Sequence, residues 1–373
     1  MNRVIHTPEG FRDIYGNEFE ERRELTDRLS RSLESFGYRG IESPAIEFFD
    51  VFSKDKGSTP SKDLYKFFDR EGNTLALRPD FTPSICRCAA AHFSDAKEPL
   101  RFTYRGNVYV NSSSYRGRLN ESAEVGAEFL FDGSVEADAE ILAASCEALK
   151  SCGLTDFKIG IGHADILKGL IEAASLTENE DTVRSYIENH NFFGLEQFLQ
   201  KHNVKPDLTR LFMALQKTFD EFCELSELFT LSEQYPRIHG ALERLSVLSD
   251  LLKAYGVERF ISYDFGFVSR FRYYTGLIFT GYAYGTGEPI LSGGRYDHLL
   301  ENFGTTGEAV GFAVFCDELY SALKAAGLSL AGGAVRRTLT YNEKNRKEVI
   351  RKAMEMRSTG IEVTLQHEQP GEK

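Results

Sequence analysis

The chain has 373 residues, of which 42% are hydrophobic and 27% charged, a composition typical of a soluble globular protein. Its formal net charge of -12 and its pI near 5.3 argue against a surface devoted to nucleic-acid phosphates, although they permit a local basic groove. The length predicts two or three domains with an ample core.

The cysteines and the N-terminus indicate the compartment. The six cysteines have neither paired CxxC spacing nor a histidine-ligand pattern, so we predict reduced, mostly buried thiols and no metal site. The N-terminus is charged from Arg3, unlike a signal peptide, and no apolar run approaches the length of a membrane span. We therefore expect a cytoplasmic protein with no membrane partner.

The first third of the chain begins with an extended arm, residues 1–16, which is interrupted by proline and glycine. A leucine every four residues predicts a helix over 18–36. A strand, a turn at Pro44 and a second strand or short helix follow. Alternating residues on either side of Glu71-Gly72 predict a hairpin over 64–82.

Asp80 follows that hairpin, between Pro79 and Pro83. A carboxylate held at a strand end is a common ligand-facing group. An alanine-rich helix begins directly afterwards, however, so Asp80 or Thr82 is equally well explained as its N-cap. Both interpretations stay open.

The central segment, residues 101–131, predicts two antiparallel strands joined by a long polar loop. Long loops on rigid strands often carry function. Glu124 and Glu128 share one face of the second strand, because side chains repeat every second residue. That face suits a small ligand with an ammonium group, but a solvated sheet face explains it too.

The predicted secondary structure changes twice in the second half of the chain, from mixed elements to helices and then to strands. A helix over 135–152 and a strand over 157–162 lead to His163, which we expect to be structural. Residues 170–255 lack strand patterns and predict a helical insertion, with Pro206 at a helix boundary. Aromatic strands resume at Arg259, and residues 309–326 predict a final helix packed on the sheet.

Two further features of that half concern ligands. Tyr273 and Tyr274 are predicted to lie on opposite faces of one strand, one in the core and the other facing a ligand. The Gly293-Gly294 pair has no following lysine, which makes a phosphate-binding loop a poor interpretation. We expect no cofactor.

Together these motifs resemble the histidyl-tRNA synthetase-like catalytic domain, a class II aminoacyl-tRNA synthetase fold. The motifs are PEGFRDIYG, SPAIE, LALRPDFTP, GNVYV, RGR, EVGAE, YYTG, SGGRYD and AVGFAV, and the likeness covers residues 1–326. It implies an α+β fold, with an antiparallel sheet flanked by helices, the helical insertion, and a short C-terminal β-α-β remnant at 327–373 in place of an anticodon-binding domain.

Four positions depart from the synthetase pattern. Val110, Ser269 and Glu318 stand where the resemblance places arginines that grip the amino-acid carboxylate and the ATP phosphates, and Ser112 replaces an acidic residue. A shift of one residue along a strand swaps faces, so Arg270 is a poor substitute for the arginine missing at Ser269. Losing one such donor typically costs about 2.7–4 kcal/mol of transition-state stabilisation, so we expect no useful adenylation.

A synthetase core without these arginines is similar to the ATP phosphoribosyltransferase regulatory subunit family. The resemblance implies a non-catalytic protein that binds the short-form catalytic subunit, is required for the first step of histidine biosynthesis, and helps to impose feedback by histidine. It also implies a hetero-octamer built on a homodimer through the Pro44 region, with no tRNA partner.

The same resemblance suggests a vestigial histidine pocket. Its residues are Asp80, Thr82 and Glu124 near the ammonium group, Glu128, Tyr273 and Tyr296 near the imidazole, and Tyr274. With Val110 in the carboxylate-binding position, we expect histidine to bind there weakly or to be oriented by backbone N–H groups. A relic that packs but binds nothing is the alternative.

Two other functions stay open. One is a histidyl-tRNA synthetase-like ligase, and the other is a paralogue that adenylates something other than tRNA. The sequence alone gives neither the stoichiometry, nor the surface that faces the partner, nor whether histidine uses this pocket or another site.

Overall fold

The computed structural model describes residues 5–53, 59–112, 119–266, 274–330 and 336–368. The helices are α1 (Gly16–Ser35), α2 (Thr82–His92), α3 (Val135–Ser151), α4 (Ala164–Ala173), α5 (Glu180–Glu188), α6 (Phe192–Lys201), α7 (Pro206–Ala214), α8 (Ser226–Ser232), α9 (Pro236–Tyr255), α10 (Cys316–Ala325) and α11 (Arg346–Ser358). The strands are β1 (Arg39–Gly40), β2 (Ile46–Phe48), β3 (Lys66–Phe68), β4 (Thr74–Leu77), β5 (Leu100–Tyr109), β6 (Glu121–Leu130), β7 (Phe157–His163), β8 (Thr218–Phe219), β9 (Ile261–Asp264), β10 (Leu277–Ala283), β11 (Leu291–Arg295), β12 (Ala309–Phe315), β13 (Arg336–Tyr341) and β14 (Glu362–His367).

A sheet of nine strands forms the centre of the molecule, in the order β1-β5-β6-β12-β11-β10-β7-β9-β8. Its neighbours are antiparallel except for β1 with β5 and β7 with β9, so the sheet is mixed at its two ends and antiparallel in its middle. The predicted central strand pair is confirmed as β5 and β6. The polar loop between them falls largely on residues 113–118, outside the described residues.

The two faces of this sheet are different. Val125, Ala127 and Phe129 of β6 point to one face and belong to the larger apolar core, together with residues of α1 and α3. The leucines at four-residue spacing in α1 are fully buried in that core, which confirms the predicted helix. Glu124 and Glu128 alternate with these apolar residues and therefore lie on the opposite face.

The opposite face of the sheet has few side chains rising from its centre, because glycines line it. Gly126, Gly294 and Gly311 occupy neighbouring strands, and a Cβ on any of them would collide with a side chain lying across the sheet. A second apolar core covers this face, with contributions from α2 and from the residues around Tyr296. The glycine floor lets large polar side chains lie flat between the sheet and α2.

One predicted element is wrong. Residues 309–326 are not a single helix: Ala309–Phe315 forms β12, between β6 and β11, and only Cys316–Ala325 forms a helix. The apolar run suits either element, because a central strand buried on both faces lacks alternation. The close approach of Gly311 to Glu128 is a tertiary requirement for this strand that local pattern does not express.

The segment predicted as a helical insertion contains α5 to α9, and α7 begins at Pro206 as expected. It also contains the short strand β8, which pairs with β9 at the edge of the main sheet. His163 accepts a hydrogen bond from the Asp165 N–H at 3.2 Å and caps α4, and burial lowers the pKa of its ring to about 4. This position is consistent with a structural role.

The remaining elements agree with the predicted patterns. The 64–82 hairpin is present as β3 and β4, turned at Gly72 with φ of 87°, and β2 completes a small sheet of three strands. At the C-terminal end, β13 and β14 are parallel neighbours connected through α11, which is the predicted β-α-β unit. The division into domains at residue 326 and the limits of the insertion stay predictions.

Candidate binding site

Glu128 lies at the middle of the glycine-lined face and is 1% exposed. Its Oε1 accepts a hydrogen bond of 2.6 Å from the Thr82 hydroxyl, and its Oε2 accepts one from the Tyr296 hydroxyl. An ideal Cβ on Gly311 would overlap this carboxyl group, so only glycine leaves room for it in β12. The structure thus brings together three of the residues predicted to form a pocket.

Burial controls the charge of this group. Desolvation raises the pKa of Glu128 to about 8, with a further rise from the nearby Asp80, while the hydrogen bonds from Thr82 and Tyr296 act in the lowering direction. Most Glu128 side chains are therefore protonated at pH 7. A neutral carboxylic acid can donate as well as accept a hydrogen bond.

Glu124 lies four residues before Glu128 on the same face of β6, between Gly106 of β5 and Phe315 of β12. It is 8% exposed, and its carboxyl group has no hydrogen-bond donor within the described part of the chain. Burial raises the pKa of Glu124 well above its usual value, and the carboxylates of Asp80 and Glu318 raise it further.

Asp80 makes the contact expected at the start of α2, and its ligand-facing role stays a prediction. Its Oδ1 accepts the N–H of Thr82 at 3.0 Å, so it stabilises the first turn of α2. Its charge also acts on Glu124 and Glu128, so it belongs to the same group of carboxyls. Contact with a ligand stays a prediction.

Arg78 is a cation whose charge acts on Glu124, and the sequence analysis did not identify it. Its Nε donates to the Asn107 carbonyl and its Nη1 to the Ser43 carbonyl, both at 2.8 Å, and the guanidinium lies 3.9 Å from the ring centre of Phe81. Desolvation lowers its pKa. A Cβ on Gly106 would lie 2.7 Å from Arg78 Nη2, so a glycine in mid-strand was the available signal.

Two tyrosines form the walls of the site. Tyr274 is buried, and its ring covers Gly294, where a Cβ would come within 2.9 Å. It precedes β10 rather than lying inside a strand, which corrects the predicted placement on opposite strand faces; Tyr273 lies outside the described residues. Tyr104, which the sequence analysis missed as a site residue, stacks on Phe81 at 4.4 Å.

The positions that depart from the synthetase pattern are only partly described. Val110 lies just beyond β5, where its N–H donates to the Asn120 carbonyl at 2.9 Å, and the Ser112 hydroxyl donates to Asn120 Oδ1 at 2.8 Å. Glu318 is in the first turn of α10. Arg105 points to the other face and pairs with Asp27 at 2.6 Å. Ser269, Arg270 and Arg272 are outside the described residues.

A second group of buried charges lies behind the sheet. Asp138 of α3 is fully buried, and it accepts hydrogen bonds from Arg295 at 2.8 Å and from Arg244 of α9 at 2.6 Å. Burial acts to lower the pKa of Arg295, but the adjacent Asp138 carboxylate raises it overall. The next residue, Tyr296, contacts Glu128 on the opposite face, so two consecutive residues contribute to the two buried groups.

Metal, disulfide and membrane-spanning helical features are absent from the part of the chain that the structure describes. The described residues contain no group of three or more His, Cys, Asp or Glu side chains arranged to hold a metal ion. The six cysteines are all described and unpaired, and four of them are buried. None of the helices within the described ranges is both long enough and apolar enough to cross a membrane.

The sequence matches the histidyl-tRNA synthetase family over residues 10–319. Among curated relatives, an ATP phosphoribosyltransferase regulatory subunit from Acetivibrio thermocellus is 36% identical over 97% of this chain and 86% of its own length. One of the same name from Clostridium kluyveri is 33% identical over 97% of this chain and 93% of its own length.

Solved structures agree with this placement. A crystal structure described as an ATP phosphoribosyltransferase regulatory subunit/histidyl-tRNA synthetase from Bacillus halodurans has a TM-score of 0.85 and 30% identity, covering 98% of this chain and 93% of that chain. Histidyl-tRNA synthetase from Nostoc has a TM-score of 0.82 at 22% identity, covering 98% and 86%, a likeness of fold alone. The predicted α+β, class II synthetase-like fold is confirmed.

Proposed function

This chain belongs to the family of ATP phosphoribosyltransferase regulatory subunits, and from that premise we propose that it activates and regulates a short-form catalytic subunit without catalysing a reaction itself. Its partner joins ATP to phosphoribosyl pyrophosphate in the first step of histidine biosynthesis. Histidine is the feedback signal. The two chains assemble in the cytosol as a hetero-octamer on a homodimer of this subunit.

The chemistry of the glycine-lined face supports a non-catalytic role. An adenylation site must hold the negative charge of ATP phosphates and of the leaving pyrophosphate. Here the described residues of the face present Asp80, Glu124, Glu128 and Glu318, against the single guanidinium of Arg78. Protonated or ionised, these carboxyl groups supply none of the positive charge that the phosphates require.

The homodimer contact is proposed to use the small sheet that follows Pro44. Ile46 and Phe48 of β2 are 46% and 58% exposed, and Phe67 of β3, on the same face of this sheet, is 37% exposed. Large apolar side chains grouped on one surface are typical of a protein interface.

Turnover of the catalytic subunit tests the proposal. The catalytic subunit alone is expected to be nearly inactive, and adding this chain should raise turnover and make it sensitive to histidine. The purified chain alone should give no ATP–pyrophosphate exchange. Failure to stimulate the catalytic subunit, under conditions where the two co-purify, would remove the proposal.

A ligase is the second candidate, because the matched family and three related structures carry synthetase or ligase names. A histidine–tRNA ligase subunit from Alicyclobacillus acidocaldarius is 28% identical with a TM-score of 0.71, covering 86% of this chain and 98% of that chain. Histidine-dependent exchange of pyrophosphate into ATP by the purified chain would favour this candidate.

A further inference from the structure

We propose that α11 of one copy of this chain docks in a groove between α7 and α8 of a second copy, and that the contact is reciprocal. It is distinct from the homodimer contact proposed for the small sheet. The inference goes beyond the proposed function and does not rest on it, because it concerns copies of this chain alone.

The first surface is the solvent-facing side of α11. On the inner side, Ala353 is fully buried where the helix packs on β13 and β14. On the outer side, Ile350 and Met354 are 46% and 58% exposed. These two residues are four apart and therefore neighbours on the helix surface. Apolar anchors at this spacing are what a helix presents to a groove in a partner protein.

Positive charge surrounds this apolar pair. Four cations, and no acid, lie three or four residues from Ile350 or Met354. The cations are Arg346, Lys347, Arg351 and Arg357. Together with the apolar pair they are called the basic stripe. None of the four pairs with a carboxylate in the part of the chain that the structure describes, although Arg357 donates to the Val363 carbonyl at 2.7 Å.

The charge of the C-terminal β-α-β unit is opposite to that of the rest of the chain. Residues 336–368 contain eight Lys and Arg against five Asp and Glu, a formal charge of +3. The whole chain has a formal charge of -12, so the remainder carries -15. An acidic partner for the basic stripe is therefore available on another copy of the same chain, and complementary charge favours that encounter.

The second surface is a groove in the helical insertion, bordered by α7, β8 and α8. Its volume is about 320 Å³ and its floor is apolar. The floor residues are Met213, Phe219, Leu228 and Leu231. This surface is called the α7–α8 groove. Its volume is at the lower end of the range for ligand pockets, ~300–1,000 Å³, and suits a few inserted side-chain ends.

Acidic side chains line one wall of the α7–α8 groove. Glu224 and Glu227 are exposed there, and neither pairs with a cation among the described residues. The groove therefore has an apolar centre bordered by negative charge, whereas the basic stripe has an apolar centre bordered by positive charge. The two surfaces are complementary in both respects.

The other wall of the groove gives the contact a direction. It carries Arg210 and Lys217, which pair with no carboxylate among the described residues. The acids of α11, Glu348 and Glu355, are seven residues apart and share one flank of the helix beside the basic stripe. With that flank turned toward Arg210 and Lys217, the stripe faces the acidic wall. The reverse orientation opposes like charges.

Symmetry closes the assembly. Each copy carries one basic stripe and one α7–α8 groove, so a two-fold axis forms the contact twice. A single contact without that symmetry would continue from copy to copy as an open filament. The reciprocal arrangement also doubles the area buried.

A nucleic acid is the other class of partner that a basic helix suits. The centre of the basic stripe is aliphatic, however, and single-stranded nucleic acids are bound by stacking on aromatic side chains. The net charge of -12 also opposes binding of phosphates. These features favour a protein surface.

Charge reversal on both surfaces tests the contact. Lys347→Glu with Arg351→Glu reverses the stripe, and Glu224→Lys with Glu227→Lys reverses the groove. By sedimentation velocity of the full chain, we expect each pair of substitutions to weaken self-association at least ~10-fold, and all four together to restore most of it. Raising the salt concentration from about 0.05 to about 0.5 M should weaken association of the unmodified chain.

A matched control and a cross-link locate the effect. Lys344→Glu with Lys352→Glu reverses two charges in the same unit but outside the basic stripe, and should leave association unchanged. Carbodiimide cross-linking of mixed isotope-labelled and unlabelled protein should join Lys347 to Glu224 or Glu227 of another copy. Thermal unfolding of each variant checks that it is folded.

The contradictory outcomes are specific. Equal self-association of the unmodified chain and the stripe-reversed variant, no recovery when all four charges are exchanged, or an absence of cross-links between copies would each overturn the inference. An effect of the stripe reversal without an effect of the groove reversal would exclude the α7–α8 groove as the acceptor. Binding of RNA or of the catalytic subunit through the stripe, with self-association unaffected, would assign the stripe to that partner instead. Failure to stimulate the catalytic subunit would remove the proposed function and leave this contact standing.

Discussion

Two buried groups of acidic side chains lie on opposite faces of the main sheet, and they are stabilised in different ways. Behind the sheet, Asp138 is paired with Arg295 and Arg244, so charge is balanced by charge. On the glycine-lined face, Glu128 is stabilised by two hydroxyl groups and by protonation, and Glu124 has no donor among the described residues.

We infer that the difference separates a structural site from a candidate binding site. The network at Asp138 joins α3, α9 and β11 with its hydrogen-bonding capacity filled by the protein, which is typical of a buried ion pair with a structural role. The group around Glu124 leaves capacity unfilled, and perturbed carboxyls of that kind are typical of functional sites.

Breaking the balanced network should have the largest effect on stability. Asp138→Ala leaves Arg295, which is 3% exposed, with only its longer ion pair to Asp297 at 3.2 Å. We expect the free energy of unfolding to fall by about 3–5 kcal/mol, the usual cost of removing one partner of a buried ion pair, as measured by urea denaturation. Asp250→Ala, which removes an exposed pair on α9, is the control and should change it little. A small loss in Asp138→Ala would refute the structural role.

Removing the Thr82 hydroxyl group should have a smaller effect on stability. Thr82→Val keeps the shape of the side chain but removes the donor to Glu128, leaving that oxygen unsatisfied. We expect a loss of about 1–3 kcal/mol in the free energy of unfolding. Thr82→Ser retains the hydroxyl and should recover most of the loss; equal effects of the two substitutions would assign the loss to packing.

Stability should also depend on pH through Glu128. Its pKa is about 8 in the folded chain against an ordinary 4.5, so between these values the folded state holds a proton that the unfolded state has lost. The free energy of unfolding should therefore fall as pH rises through this window, by about 1.4 kcal/mol per pH unit for this one group. Glu128→Gln should remove that component. An unchanged slope in the variant would contradict the prediction.

The smallest effect is expected on the face that carries no site. Arg105→Ala breaks an exposed pair with Asp27, and we expect a change of about 0–1 kcal/mol in stability. A clearly larger loss would contradict the exposed position of this pair.

Much of this arrangement could be predicted from local pattern. The alternation in β6 predicted that Glu124 and Glu128 share a face, and the spacing in α1 predicted its buried leucines, because both signals depend on residues close in sequence. The contacts that define each group are long-range: Arg295 is 157 residues from Asp138, and Tyr296 is 168 from Glu128. No periodicity in one sequence expresses such a pairing.

The errors have the same origin. The segment that forms β12 was predicted as helix because an apolar run buried on both faces loses its alternation. The role of Arg78 was missed because its hydrogen bond to the Asn107 carbonyl forms only in the folded chain, where β5 passes beside the guanidinium at Gly106. Burial, which raises the pKa of Glu124 and Glu128, is likewise a property of the assembled fold.

The most direct test of the contrast is the protonation of Glu128 itself. The protein would be labelled with carbon-13 at the glutamate carboxyl groups, and NMR would follow the ionisation of Glu128. The Glu128→Gln variant would assign the Glu128 resonance. We predict a pKa of about 8 for Glu128, so that its carboxyl group is mostly neutral at pH 7. A resonance that titrates at or below the ordinary glutamate range would show that a cation balances this site after all.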